Sequence, residues 1–375
     1  MSEQHYYLAF SNFPGVGPIK FTKLIKHFGS AKSAWEGSIS ELEKVIGKSY
    51  ASKFEVFRKE FDIESYLEKL QKQKIKFVCL SDQEYPKLLR QIPNPPIVLY
   101  VKGDLQTVYS LRTTAVDSSR KAESIAIAIV GTRKITSYGR EITQLFASEL
   151  SNASLIIVSG MAYGVDGIAH QATIDAGGKT IAVLGNGVDL PYPRENQKLY
   201  EDILDSGGAI ISESPPGEPP SVGSFPSRNR IIAGLSDGVL VTEGAHDSGS
   251  LITANFGLEF GRKVFAVPGP ITSSLSAAPL RLIEKGAKLV IRPEDILKEL
   301  KVSRVSQVSK VSRGGGKGLT KEESSIIGLL ENEPLHFDEI VRRLSLDSSK
   351  AGTILSMMEI KGLIKNSGGN YSLAS

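Results

Sequence analysis

The sequence predicts a doubly wound α/β fold with a helical module before it and a second small module after it. Three observations carry that expectation. Seven short, continuously apolar runs alternate with helically spaced stretches, as in parallel strands buried on both faces and joined by right-handed crossovers. A Lys-rich helical pattern fills the chain up to about residue 75. A basic Gly/Ser/Val connector then sets off the last segment.

The chain has 375 residues, 41% hydrophobic and 23% charged, which suits two or three globular domains. No apolar run approaches the ~18 residues of a membrane span, so none is expected. MSEQHYYLAF has neither a basic n-region nor a long apolar stretch, so no signal peptide is expected. A lone Cys79 offers no internal disulfide, and the cytoplasm is the expected compartment. The net charge of +4 is unevenly spread. Residues 1–80 hold 13 Lys/Arg against 9 Asp/Glu, residues 81–300 hold 21 against 24, residues 301–318 hold 5 against 0, and residues 319–375 hold 6 against 8. A nucleic-acid site in the middle must therefore be a local cluster of cations, not a uniformly basic body.

Residues 1–75 form the first module. In FSNFPGVGPIKFTKLIKHFGS (10–30) a Pro-Gly-Val-Gly turn joins two apolar-periodic segments, and Pro18 suits the first position of the next helix. This is the layout of a helix-hairpin-helix unit, with a weaker echo at 45–57. Such a unit either contacts phosphates through its loop or serves only to pack. Gly47-Lys48-Ser49 is not a P-loop, because Leu42 stands where the first Gly is needed.

Residues 76–300 form the sheet domain. After FVCL (77–80) and IVLYV (97–101), residues 103–124 are poor in apolar positions and read as a loop or insertion. The seven strand runs follow: IAIAIV (125–130), LIIVS (155–159), TIAVL (180–184), AIIS (209–212), GVLVT (238–242), KVFAV (263–267) and AKLVI (287–291). Glycine-bearing loops GTRKITSYG (131–139), SGMAYGVDGIAH (159–170) and LGNGVDLPYP (184–193) follow three of them. Glycine at a strand end lets backbone approach a phosphate. Arg133, just past Gly131, is placed to clamp one. Gly131-Thr132-Arg133 replaces the G-x-G-x-x-G of a Rossmann fingerprint, so a dinucleotide cofactor is not expected. Arg228 and Arg230 flank Asn229 before an apolar helix; one of the two is expected to be a structural ion pair, with Glu243 or Asp237 as partner. Phe225 and Tyr192 offer stacking faces for unstacked bases, or in the case of Phe225 core packing.

Eight blocks carry a resemblance: GTRKITSYG, VSGMAYGVDGIAH, TIAVLGNGVDLPYPREN, SESPPGEPP, FPSRNRIIAGLSDGVLVTEG, SGSLITA, GRKVFAVPG and LIEKGAKLV. In order and spacing they resemble the DprA/Smf family of DNA-processing proteins over residues ~75–292. The resemblance implies an extended Rossmann-like domain that binds single-stranded DNA, forms a homodimer and loads the RecA recombinase during natural transformation. It implies a DNA-contacting arginine at Arg133 beside Gly131. It further implies a pocket offering Lys179, Arg228 and Arg230, with Lys134, Ser159, Gly160, Gly185, Asn186, Phe225 and Asn229 around it. Asn186 departs from the family's usual small residue there.

Catalytic chemistry is not expected. The lonely-guy type of nucleotide-processing enzyme, similar in fold, relies on P-G-G-x-G-T-x-x-E, whereas residues 242–254 read TEGAHDSGSLITA with Glu243 before the glycines. Asp166 and His170 share a helix face at i, i+4 and would suit an acid/base pair, but an Asp at a helix start and a packed His account for them more simply. Five His and one Cys show no zinc spacing, and no metal or cofactor is expected. A nucleotide-processing enzyme and a nucleotide-sensing winged-helix regulator are the competing functions.

Residues 301–318 (KVSRVSQVSKVSRGGGKG) read as a mobile tether, solvated or sliding along phosphates. Residues 319–375 predict helices at 320–331, 337–344 and 348–360, then a hairpin around Ser-Gly-Gly-Asn, which together make a winged helix. Its third helix sets Lys350 and Lys361 against Glu359, which favours an accessory or protein-contact role over reading duplex DNA.

Overall fold

The computed structural model describes residues 1–109, 124–302, 321–330, 333–344, 346–360 and 363–373. They fall into two compact units, Met1–Val305 and Ser306–Ser375.

The first unit is built on a nine-stranded sheet. Its strands are β1 (Lys76–Cys79), β2 (Val98–Gly103), β3 (Ala126–Val130), β4 (Ile156–Ser159), β5 (Thr180–Leu184), β6 (Ala209–Ser212), β7 (Gly238–Val241), β8 (Lys263–Ala266) and β9 (Lys288–Leu289). Their order is β1-β2-β6-β5-β4-β3-β7-β8-β9. From β3 to β9 every neighbouring pair is parallel, while β2 joins β6, and β1 joins β2, antiparallel. All seven apolar runs lie in the parallel part. Their continuity follows from two-sided burial: Ala126, Ala128, Val130 and Val158 enter one core, and Ile127, Ile129 and Ile157 enter the other.

The chain winds from β3 through β4 and β5 to β6 on one side, then returns to β7, β8 and β9 on the other. Between β3 and β7 the winding direction reverses. In open α/β sheets, ligands bind at such a switch point, beyond the C-terminal strand ends.

Six helices between Glu3 and Lys72 precede the sheet. Phe10 stacks on Phe54 at 5.0 Å, and their core continues into Val98, Tyr100 and Val188. The Tyr100 hydroxyl is wholly buried and needs partners. Asn12 Nδ2 donates to it at 2.9 Å, and Ser11 Oγ shares a hydrogen bond with it at 2.8 Å. The helices are thereby fastened to β2. Glycines 17 and 47 cap the starts of Pro18–Phe28 and Lys48–Glu60, the two hairpin positions legible in the sequence.

The stretch after β2 opens with a helix, Leu105–Tyr109, where only a loop is legible in the sequence. Positions 110–123 of the insertion, and 303–318 of the tether, lie outside the described residues.

The second unit has helices Lys321–Leu330, Phe337–Leu344 and Ser348–Ile360 and strands β10 (Leu335–His336), β11 (Ile364–Ser367) and β12 (Asn370–Leu373). β11 and β12 form the expected hairpin, turning through Gly368 and Gly369 at φ +60° and +89°. Ile326, Ile340, Leu355, Met358 and Ile364 close its core. This is a winged helix.

Candidate nucleic-acid interface

A cleft of about 530 Å³ opens at the switch point, walled by Gly131, Arg133, Phe225, Asn229, Ser248 and Ile252 among others. Its floor is the loop after β3, fixed by three hydrogen bonds. Thr132 N donates to Glu243 O at 2.8 Å, Val165 N donates to Thr132 O at 3.1 Å, and Thr136 N donates to Glu243 Oε2 at 3.0 Å. Close approach explains the neighbouring glycine: at Gly164, where φ is +75°, a Cβ would stand 2.2 Å from Thr132 O.

Arg133 rises from this fixed loop into solvent. Its guanidinium lies 5.7 Å from the centre of the Phe225 ring, and Phe225 in turn packs on Tyr192 at 5.4 Å. Among the described residues Arg133 makes no ion pair. An unspent guanidinium beside two aromatic faces, one of them 40% exposed, can bind a phosphate and stack a base at once. Lys134 is exposed next to it, its N–H turned to Thr132 Oγ1.

Arg228 differs from Arg133 in every respect. It is 6% exposed, and Nη1 donates to Gly160 O at 2.8 Å and to Val183 O, tying the ends of β4 and β5 to helix Ser224–Gly234. Burial pulls its pKa down to about 10, with Asp166 opposing the shift, so it stays charged at neutral pH. Arg228 nevertheless lines the cleft, and its Nε is buried without a hydrogen-bond partner. Burial likewise raises the Asp166 carboxyl, against the pull of Arg228.

Several residues expected in the pocket serve elsewhere. Lys179 precedes β5, at the opposite strand ends from the cleft, and donates to Ser206 O. Arg230 holds both carboxylate oxygens of Glu213 at 2.7 and 2.6 Å; its partner is neither Glu243 nor Asp237, and both arginines of the pair are structurally engaged. Ser159 is buried and donates to Ile129 O at 2.6 Å, and Asn186 is buried and donates to Leu190 O at 2.6 Å. Gly160 meets the Arg228 guanidinium where its Cβ would be, and Gly185 underlies Ser224 and Phe225. Asn229 does line the cleft, with Nδ2 3.4 Å from Gly249 O.

The sequence reading missed other cleft residues. Val222 and Ile252, 92% and 37% exposed, supply apolar walls, and Ser248 and Ser250 supply hydroxyls. The Ser-Gly-Ser turn before helix Ser250–Glu259 was the available signal. Tyr163, on the loop after β4, and Arg194, two residues past Tyr192, are also exposed.

His170 does not reach the cleft. It is wholly buried, Nδ1 lies 2.6 Å from Thr180 Oγ1, and burial drives its pKa down to about 3. Among the described residues no cluster of three His, Cys, Asp or Glu could hold a metal, and no helix is long and apolar enough to cross a membrane.

Comparison with known proteins agrees with this fold. The family model for DNA recombination-mediator protein A matches residues 76–301, and that for the DprA winged helix domain matches residues 315–370. Protein Smf of Synechocystis is 34% identical over 400 residues, covering 98% of both chains. DNA processing protein DprA of Bacillus subtilis is 43% identical over 228 residues, which is 61% of this chain and 72% of that one. Among solved structures, DprA from Streptococcus pneumoniae superposes with a TM-score of 0.66 at 34% identity, over 80% of this chain and 98% of its own. DNA processing protein A from Helicobacter pylori, studied for its single-stranded DNA binding mode, gives 0.51 at 29% identity, over 60% and 95%. The family is one of recombination mediators, not of enzymes. With a family match from the first sheet strand to the end of the sheet domain, and a full-length relative besides, the chain belongs to the DNA recombination-mediator protein A family, DprA/Smf.

Proposed function

We propose that the chain binds single-stranded DNA without base specificity in the cleft between the ends of β3 and β7, and, as a cytoplasmic homodimer, loads RecA onto it. One observation carries the binding site: Arg133 stands exposed and, among the described residues, without an ion pair at the switch point, against Phe225, on which Tyr192 packs. A cation beside aromatic faces reads backbone and stacked bases, which every sequence offers. Lys134, next in the chain to Arg133, and Arg194, two residues past Tyr192, are further exposed cations near these residues in sequence. RecA loading rests on the family's role as recombination mediators. Dimerisation is favoured by outer strand β9, where Leu289 is 47% exposed, and by Ile291, two residues further on and 67% exposed, an apolar edge open to a second copy. The working division is a helical module (1–75), the DNA-binding sheet domain (76–300), a tether (301–318) and an accessory winged helix (319–375). In that last module Lys350 pairs with Glu322, and Arg343 with Glu339 and Glu333, leaving little charge for duplex DNA.

The test is fluorescence anisotropy with a labelled single-stranded oligonucleotide, competed by duplex across a salt series, for wild type and Arg133→Ala. The expected outcome is preference for the single strand, affinity falling with salt, and a loss of about 1–3 kcal/mol in the variant, the range for a charge-assisted contact. A variant that binds like wild type rejects the site.

A further inference from the structure

In a dinucleotide-binding α/β unit the first strand leads through a glycine loop into a helix whose N-terminus holds the pyrophosphate. The corresponding helix here is Ser137–Asn152, after β3, and its start is already occupied. The Glu243 carboxylate, arriving from the end of β7, accepts from Thr136 N at 3.0 Å and from Thr136 Oγ1 at 2.6 Å. Thr136 is the N-cap, its Oγ1 also accepting from Gly139 N at 3.0 Å. The fit is tight: at Gly139 a Cβ would fall 2.0 Å from Glu243 Oε2. Glu243 is only 4% exposed, and among the described residues no Lys, Arg or His pairs with it. The partners that remain for a buried, unpaired carboxylate are two donors and a helix start, the same groups that bind phosphate.

We infer that Glu243 is a built-in anion filling the phosphate position at the start of helix Ser137–Asn152, and that it determines specificity in two ways. It denies that position to free nucleotides and orthophosphate. Through its carboxylate on Thr136 and its carbonyl on Thr132, it also fixes the loop that carries Arg133, so that an incoming phosphate finds its partner at Arg133 instead. Glu243 is thus a positioning residue, and the second role rests on the reading of the cleft as a DNA site.

The experiment compares wild type, Glu243→Ala and Glu243→Gln, with orthophosphate as the probe. At equal ionic strength, millimolar phosphate in place of chloride should raise the melting temperature of Glu243→Ala well beyond any rise in wild type, where phosphate has only the exposed Arg133 to meet, since an anion that binds only the folded state stabilises it. A side chain that merely packs would not be replaced by a small anion. Glu243→Gln keeps the volume, so it should take up no phosphate. Without the charge it should hold Thr136 less firmly, with single-strand affinity about threefold to tenfold lower and faster exchange of the Thr136 amide. Two results overturn the inference: Glu243→Ala no more responsive to phosphate than wild type, or, should that variant not fold, Glu243→Gln matching wild type in both affinity and amide exchange. If Arg133→Ala shows that the cleft is not the DNA site, the phosphate and exchange readouts still decide the role of Glu243.

Discussion

Side chains of one type take opposite roles within this cleft. Arg133 is in solvent and makes no ion pair among the described residues, whereas Arg228 spends Nη1 on two strand-end carbonyls. Neighbouring His170 is a third case, a titratable group stored neutral in the core. Its pKa is lowered from 6.5 to about 3 by burial, so between those values the unfolded chain binds a proton that the folded chain does not. Stability from this group is therefore complete above about pH 6.5 and is lost as pH falls toward 3, at about 1.4 kcal/mol per pH unit. Urea unfolding of His170→Gln from pH 7 to pH 4 should show a slope shallower by about one proton than wild type; equal slopes would mean that His170 is not held neutral. At this scale the sequence was only partly legible. Arg133 could be placed because it follows a strand end by a fixed, short spacing. Lys179 could not, because a residue before a strand faces the opposite end of a parallel sheet. The partner of Arg230 could not either, because Glu213 comes from the loop after β6, seventeen positions away, and not from β7.

Among the elements, strands were more legible than loops, for a physical reason. A strand buried on both faces must be apolar throughout, so β3 to β8 announce themselves, and even the two-residue β9 lies within an apolar run. A loop is specified by what it touches. The Arg133 loop is shaped by contacts from β7 and from the loop after β4, which no local pattern records. Gly164 is the sharpest of these contacts. Gly164→Ala would place a methyl against Thr132 O at a positive φ, and the loop would have to move. The expected cost is about 1–3 kcal/mol in unfolding free energy. Single-strand affinity should fall as well, although Gly164 itself offers DNA no side chain. Loss of stability with unchanged affinity would show that Arg133 does not need its loop held in place.

Across the whole molecule, the question is which part supplies the charge that binds DNA. The tether, residues 301–318, is the most basic stretch, with 5 Lys/Arg and no Asp/Glu, yet the first unit holds the cleft. Salt dependence separates the two contributions. On single strands each phosphate contact adds about 0.7 to the log–log slope of affinity against salt, so five engaged tether cations would add about 3.5. A chain ending at Val302 retains the whole sheet and the packed helices before it, including the Tyr100 fastening, and these belong to one compact unit. Its affinity for a single-stranded oligonucleotide at ~150 mM salt should stay within about threefold of the full chain, with a slope change below one contact. That result would assign DNA binding to the cleft and its rim, leaving the winged helix and tether for partners other than the strand. A slope lower by two or more in the shortened chain would instead make the tether a phosphate rail, and the cleft a local grip within a larger electrostatic track.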